Sequence, residues 1–312
     1  MATHVKRAFE YRFCPTDAQA AELSRTFGCV RKAAFRFRNG RLTLAKTADP
    51  LDIAWSRPLP EGAVPTTVTV SRDSAGRWFV SLPCGDPRVK PLAATDTAVG
   101  VDVGLDHLLP LSPGEKIANP RHERRDHERL AKAQRELSRK AEGEGANRRK
   151  ARRRVAKIHA RIADRRRDVL HKPTTRLVRE NQRLVIEDLT VRTMVKNRTL
   201  ARAISDAAWA QFRSLLEYRA DWYGREVIAV DRFFPSSRLC SHCGSLAEAM
   251  PLRVGTWMCD SCGTAHDRDV NAANNLLAAG PAVTVWGAGA RPQRTTPGGQ
   301  SAVKQKTPRR EP

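Results

Sequence analysis

The sequence predicts an α/β protein with a cysteine-rich module near its carboxyl end and a β-rich amino-terminal part. Three observations lead there. Apolar runs at Ala98 to Leu105, Arg183 to Leu189 and Glu226 to Asp231 have the length of buried strands and alternate with helical spacing, as in a sheet covered by helices. Cys240, Cys243, Cys259 and Cys262 form two C-x-x-C pairs with fifteen residues between them. The interval 121–172 holds 20 Lys and Arg against 8 Asp and Glu, a net of +12 within a formal +23 for 312 residues.

In chain order, residues 4–14 alternate loosely and predict a strand ended by Pro15. A helix over Asp17 to Phe27 follows, with Thr16 or Asp17 as cap and Gly28 as stop. From Arg31 to Pro65 prolines recur and no period is sustained, so loop with a little strand is expected. Thr66 to Asp73 and Arg77 to Leu82 flank Ser74-Ala75-Gly76 and predict a hairpin.

The strand from Ala98 carries Asp102 in its middle. A carboxylate there is expensive to bury, so either the strand ends and Asp102 turns to solvent, or a metal ion offsets its charge. Lys116 to Pro120 completes a further short strand. In the basic interval, Leu130 and Leu137 on one side of Gly143-Glu144-Gly145, and Val155, Ile158 and Ile162 on the other, predict an antiparallel helical hairpin with a narrow apolar stripe. Its remainder is a solvated face or a phosphate-binding one. Arg148-Arg149-Lys150, Arg152-Arg153-Arg154 and Arg165-Arg166-Arg167 have few intervening acids, which favours phosphate contact. The helix runs on through Leu177, a strand ends in Glu187-Asp188, and Trp209 to Tyr223 is amphipathic with Phe212, Leu215, Leu216 and Trp222 as core.

The two cysteine pairs fit a zinc site of four thiolates, each pair followed by a glycine, Gly244 or Gly263, that closes the knuckle. The alternative, a redox or disulfide pair, is disfavoured because nothing else in the sequence suggests export. A site filled by four thiolates leaves no position for substrate, so the zinc would be structural. The following turn, His266 to Asn275, runs into a helix expected to stop at Gly280. Its Asp267 and Asp269 suit capping as well as chemistry. Residues 287–312 are predicted to be a disordered basic tail.

A pI near 10.7 makes a polyanion, nucleic acid first, the default partner. Seven cysteines, four of them in the knot, leave Cys14, Cys29 and Cys84 as free thiols of a reducing compartment. The amino terminus has no apolar core of a signal peptide, and no run approaches a membrane span. A cytoplasmic protein, nucleoid-associated when bound to DNA, is expected. Asp102, Glu187 and Asp269, on two strands and a helix start, form the constellation that phosphodiester hydrolysis with two divalent cations requires, if they converge.

GVDVGLDHLL, LVIEDLTV, PSSRLCSHCG, CDSCGTAHDRDVNAANNLL and RRKARRRVAKIHARIADRRRD together resemble the transposon-encoded RNA-guided nuclease family TnpB, a relative of the compact type V CRISPR effectors. The similarity runs from about Val99 to Gly280, with weaker matches in YRFCPTDAQAAEL, FGCVRKA and RWFVSLP. The resemblance implies a RuvC-like nuclease domain of ribonuclease H fold over 98–238 and 264–286, with the basic hairpin inserted at 121–172. It also implies a zinc ribbon over 239–263 and, over 1–97, a wedge-like β-barrel that grips guide RNA.

Its catalytic acids fall on Asp102, Glu187 and Asp269, which would hold Mg²⁺, with Asp267 the less favoured third acid. Its partners would be a guide RNA from the transposon end and target DNA. This chain departs from the family between the first helix and the hairpin at Thr66, where a long helical recognition segment is shortened to fewer than thirty residues. The resulting expectation is an RNA-guided, divalent-metal-dependent DNA endonuclease. The alternative is a non-cleaving RNA- or DNA-binding regulator or a degenerate transposon remnant. A third reading is a zinc-ribbon nucleic-acid protein with no nuclease site.

Overall fold

A computed structural model describes residues 5–286 apart from 26–27, 32–34, 46, 141–142, 144, 249 and 252–253. The predicted tail at 287–312 lies outside the described residues. The amino-terminal part contains β1 (Lys6–Phe13), α1 (Asp17–Arg25), β2 (Gly28–Arg31), β3 (Phe35–Arg38), β4 (Arg41–Leu44), β5 (Ile53–Ala54), β6 (Thr67–Arg72) and β7 (Trp78–Gly85). Five strands pair in the order β2-β6-β7-β1-β5, and β3 pairs with β4. Among the described residues that sheet is open, with β2 and β5 at its edges.

The helix start follows from a capping box. Thr16 Oγ1 accepts from the Gln19 amide and Gln19 Oε1 accepts from the Thr16 amide, which satisfies two donors at the helix start. Gly28, expected to stop this helix, instead begins β2. The segment read as mostly loop forms three short strands and buries Leu42, Leu44, Leu51 and Ile53 in the same core as Phe9, Tyr11, Phe13 and Trp78.

The second part contains β8 (Ala98–Val101), β9 (His107–Pro110), β10 (Lys116–Ala118), α2 (His122–Ser138), α3 (Ala146–Glu180), β11 (Arg183–Glu187), α4 (Val191–Met194), α5 (Ala201–Ala207), α6 (Trp209–Tyr223), β12 (Glu226–Val230), β13 (Thr256–Met258), β14 (Ala265–Asp267) and α7 (Arg268–Trp286). Strands β12, β11 and β8 are parallel neighbours in that order. Beyond β8 the chain turns back antiparallel. Asp102 N donates to Pro110 O, Ser112 N donates to Gly100 O and Val101 bridges Leu111, while β9 pairs with β10. The sheet therefore reads β10-β9-β8-β11-β12 with one reversed member next to its centre.

Helix α6 and the distal half of α3 cover one face. Leu170, Leu177, Phe212 and Leu216 pack there with Val99, Val101, Leu184 and Ile186. Helix α7 covers the other, where its Leu276 packs with Val185, Ile228 and Val230. Contrary to the expected stop at Gly280, α7 continues through Gly280 and Pro281 to Trp286. Gly280 lies against Val185, where an added Cβ would stand 2.7 Å from Cγ2. The glycine serves helix-to-sheet contact rather than termination. Helices α2 and α3 form the predicted hairpin. Among the described residues, no helix is long and apolar enough to cross a membrane.

The tightest contact is at Gly100, where a Cβ would sit 1.9 Å from the carbonyl oxygen of Ala273 in α7. Backbone cannot yield as a flexible side chain does. Gly100→Ala is expected to lower stability by more than about 3 kcal/mol, above the usual cost of overpacking, as read in urea unfolding. Gly280→Ala, facing only a valine methyl, costs less.

Candidate functional site

Strand register brings the first two acids together. In the parallel pair, Ile186 lies opposite Val101, so the next residues, Glu187 and Asp102, leave adjacent strands at one level. The strand ends at Val101, as the first sequence alternative had it, although Asp102 is half-buried rather than turned fully to solvent. Asp269 is the second residue of α7, one turn before the Ala273 contact with β8. Burial, and then the charge of Glu187 with that of Asp269 behind it, push the Asp102 carboxyl up to about 7. Burial, then Asp188, raises Glu187. Like charges gathered in a partly desolvated place give such shifts, and a cation relieves them.

Asp267 is otherwise engaged. Its Oδ2 takes the Lys116 ammonium at 2.5 Å and its Oδ1 caps α7 at the Val270 amide, 3.1 Å. These bonds outweigh its burial and lower its pKa, which leaves Asp269 as the freer carboxylate. Two neighbours escaped the sequence reading. His107 Nδ1 stands 3.9 Å from Asp269 Oδ2, although His107 lies within GVDVGLDHLL and its nearness to Asp102 in sequence was visible. Asp188 binds Arg213, and Arg232 donates to Thr190 and reaches Asp188 at 3.5 Å. The adjacent Glu187 has no such cationic partner among the described residues.

The cysteines converge. The four Sγ atoms all lie within 4.8 Å of one another, the only group of three or more such donors among the described residues that does. Cys240 and Cys262 are 3.7 Å apart, and Cys243 and Cys259 are 3.6 Å apart. A tetrahedral zinc with Zn–S near 2.3 Å separates its sulfurs by about 3.8 Å, so the donor set fits zinc.

Both knuckles share one form. Gly244 N donates to Cys240 O and Gly263 N to Cys259 O, at φ of 75° and 69°. Thr264 Oγ1, 3.2 Å from Cys262 Sγ, pulls that thiol down to about 6. His266 Nε2 is 3.0 Å from Cys240 Sγ and its ring packs on Trp257. The knot is tied to α7 by two buried asparagines. Asn271 Oδ1 accepts from Ser241 N and its Nδ2 donates to Leu239 O, while Asn275 Nδ2 donates to Ser236 O and Leu239 O.

The nine basic residues expected to bind phosphate divide into two groups. Arg154 pairs with Glu136, Arg165 with Asp126, Arg166 with Asp206 and Arg167 with Glu10. Arg153 Nε donates to Ala75 O and Arg148 Nη1 to Lys140 O. Arg152 also has an interaction of its own. Arg149 and Lys150 make no ion pair among the described residues.

Residues 67–198 match the OrfB/IS605 family, described as "Probable transposase". Residues 209–276 match the Cas12f1-like TNB domain, and 1–33 match a helix-turn-helix domain of the same OrfB/IS605 group. A Streptomyces pristinaespiralis protein named "Putative RNA-guided DNA endonuclease" is 52% identical over 99% of this chain and 98% of its own length. That alignment runs over 397 positions, 85 more than the 312 residues here. "Putative RNA-guided DNA endonuclease InsQ" of Escherichia coli (strain K12) is 34% identical over 70% of this chain and 58% of itself. Among solved structures, "Cryo-EM structure of the Cas12f1-sgRNA-target DNA complex" superposes with a TM-score of 0.51 at 16% identity, over 88% of this chain and 60% of that one.

If zinc holds the knuckles, Cys259→Ser should reduce bound zinc from one per chain to well below half by native mass spectrometry and lower the melting temperature. Ser237→Ala, outside the sulfur cluster, should change neither. The chain belongs to the OrfB/IS605, TnpB-like family.

Proposed function

We propose that this chain is an RNA-guided, divalent-metal-dependent DNA endonuclease of transposon origin. Asp102, Glu187 and Asp269 would hold Mg²⁺, in this reading two ions, and the four cysteines one structural zinc. The observation that carries it is the register of β8 and β11, which sets Asp102 and Glu187 level at the ends of adjacent parallel strands, with the Asp269 charge acting on Asp102. The sheet order, with one reversed strand beside the centre, supports a RuvC-like domain of ribonuclease H fold over 98–238 and 264–286. The knuckles support a zinc ribbon over 239–263, and the open amino-terminal sheet supports a wedge-like RNA-gripping unit over 1–97. The names of the relatives support a guide RNA, from the transposon end, and target DNA as partners.

Three carboxylates supply the hard oxygen donors that Mg²⁺ prefers. The ions would activate water and neutralise charge on the leaving oxygen. The chain's own groups prepare the site. Backbone pairing aims Asp102 and Glu187, α7 carries Asp269 to them, and Lys116 draws Asp267 away from the set. His107 faces Asp269 from β9, its Nδ1 3.9 Å from Asp269 Oδ2 and without a hydrogen-bond partner among the described residues.

The rival reading, a non-cleaving binder or degenerate remnant, is favoured by the short segment between the first helix and the hairpin at Thr66. Plasmid cleavage in Mg²⁺ with co-expressed RNA decides between them. Asp102→Ala, Glu187→Gln and Asp269→Asn should each abolish cutting, with loss of more than about a hundredfold, while RNA binding persists. Asp267→Asn, which keeps a cap, should stay within about tenfold. Cutting that survives Asp102→Ala would refute the assignment.

The hairpin yields a separate expectation. Arg149→Gln with Lys150→Gln should flatten the slope of log affinity for RNA against log salt by about 1.5, the loss of two phosphate contacts. Arg165→Gln should leave the slope unchanged and lower the melting temperature, since it leaves Asp126 with only the longer Arg129 contact at 3.5 Å.

A further inference from the structure

Strand β14 joins the second knuckle to the helix that carries Asp269. On the knot side, Thr264 Oγ1 lies 3.2 Å from Cys262 Sγ and His266 Nε2 lies 3.0 Å from Cys240 Sγ. Alternation along a strand sends residues 264 and 266 one way and 267 the other, and Asp267 does turn to Lys116. Ligation by four thiolates gives His266 no role, since it is not one of the mutually close sulfur donors. Yet only 9% of it is exposed, and its ring packs at 4.9 Å on Trp257, its partner across the β13–β14 pair.

The sulfur that His266 meets is the most enclosed of the four. Cys240 is 1% exposed and Cys259 3%, whereas Cys243 and Cys262 are open to solvent. Four thiolates on one divalent ion leave a net charge of about −2. A metal-bound thiolate has lost its proton and can only accept hydrogen bonds, and where water is shut out the protein must supply the donor. His266 is placed to do so. A neutral imidazole has one N–H. Facing an acceptor, that hydrogen must sit on Nε2, which leaves Nδ1 bare.

We propose that His266 is a positioning residue of the zinc centre, donating its Nε2–H to the Cys240 thiolate and thereby fixing the start of the helix that carries Asp269. The inference rests on the reading of the four cysteines as a zinc site. Zinc then reaches the acids by a path separate from the asparagines at 271 and 275. His266 leads directly into Asp267, whose Oδ1 accepts from Val270 N at 3.1 Å, and Arg268 N donates to Gly255 O at 2.9 Å. Those two amides bracket Asp269 and report on its anchorage.

The metal-loaded full chain tests this with three variants. His266→Leu removes the donor, His266→Gln returns an amide N–H close to the Nε2 position, and Trp257→Leu removes the ring contact while leaving the donor. With Co²⁺ in place of zinc, the sulfur-to-cobalt charge-transfer band should move to lower energy in His266→Leu, because a thiolate without a donor gives up electron density more readily. It should stay in place in His266→Gln and Trp257→Leu. In chelator competition, His266→Leu should bind zinc about tenfold more weakly, the lower end of the losses seen when the partner of a metal ligand is removed. In the zinc-saturated protein, the Arg268 and Val270 amides should exchange hydrogen faster than wild type in His266→Leu and not in His266→Gln.

A band that stays in place in His266→Leu, or moves as far in Trp257→Leu, overturns the hydrogen bond and leaves the zinc reading standing. Unchanged exchange with a shifted band overturns the tie to α7. A measurement that needs no variant covers the case in which His266→Leu does not fold. In zinc-loaded wild type with ¹⁵N-labelled histidine, His266 Nε2 should carry the hydrogen, and a bare Nε2 overturns the proposal. A chain that binds neither zinc nor cobalt overturns the proposal and the zinc reading together.

Discussion

The approach of α7 to β8 at Gly100 governs the positions of everything functional in the carboxyl half. With a would-be Cβ 1.9 Å from Ala273 O, strand and helix touch backbone to backbone, and no side chain can slide between them. One turn back along the helix from that contact is Asp269. Two turns forward is Gly280, where a Cβ would stand 2.7 Å from Val185 of the next strand. Two glycines, one on each element, thus fix both the depth and the direction of the helix across the sheet. The asparagines at 271 and 275 then bind the helix to the chain entering the first knuckle. The sulfur cluster, the helix and the third carboxylate form one rigid sequence of contacts, so a zinc site with no open coordination position can still govern chemistry several residues away.

Charge is arranged with the same economy. The formal +23 suggests a surface coated with free cations, yet much of the hairpin charge is spent internally. Asp126 is 3% exposed and accepts from both Arg165 and Arg129. Asp206 takes Arg166 and the Glu123 amide. Each of these carboxylates keeps a second donor when one arginine is lost, and only the loss of both would strand a buried charge at a cost of about 3–5 kcal/mol. These arginines therefore fasten α2, α3 and α5 to one another before any nucleic acid arrives. Arg77 and Arg153 fasten α3 to the amino-terminal hairpin through Asp164 and Ala75 O. The carboxylates at 102, 187 and 269 are the reverse case, acids kept close to one another where an external cation is the natural relief.

What could be read from the sequence follows from the range of the forces involved. The helix at Trp209–Tyr223 and the strands beginning at Ala98, Arg183 and Glu226 match their expected positions because each buries a continuous apolar face. The cysteine knot was legible because its spacing encodes its own geometry. The level placement of Asp102 and Glu187 was not, since strand register depends on residues 85 apart. Runs such as RRRD show charge but not partners, and the acids that Arg165, Arg166 and Arg167 meet come from elsewhere in the chain. At Gly280 the local helix-stop signal gave way to the fit against Val185.

The short segment between α1 and β6 was the least legible part of the chain. Its strands are only two to four residues long and interrupted by prolines, so propensity alone carried little signal. Even so, Leu42 is fully buried, Leu51 N bonds Leu42 O, and Trp55 lies edge-on to Tyr11 while meeting Phe37. A truncated stump would leave apolar faces of β1 open, whereas this segment closes over them. In RNA-guided enzymes base pairing reads sequence, and protein surface holds the duplex by shape and backbone. Among the described residues the segment is a sealed part of the amino-terminal core, folded against β1 rather than frayed, and what it contributes is packing that a sequence without sustained period did not announce.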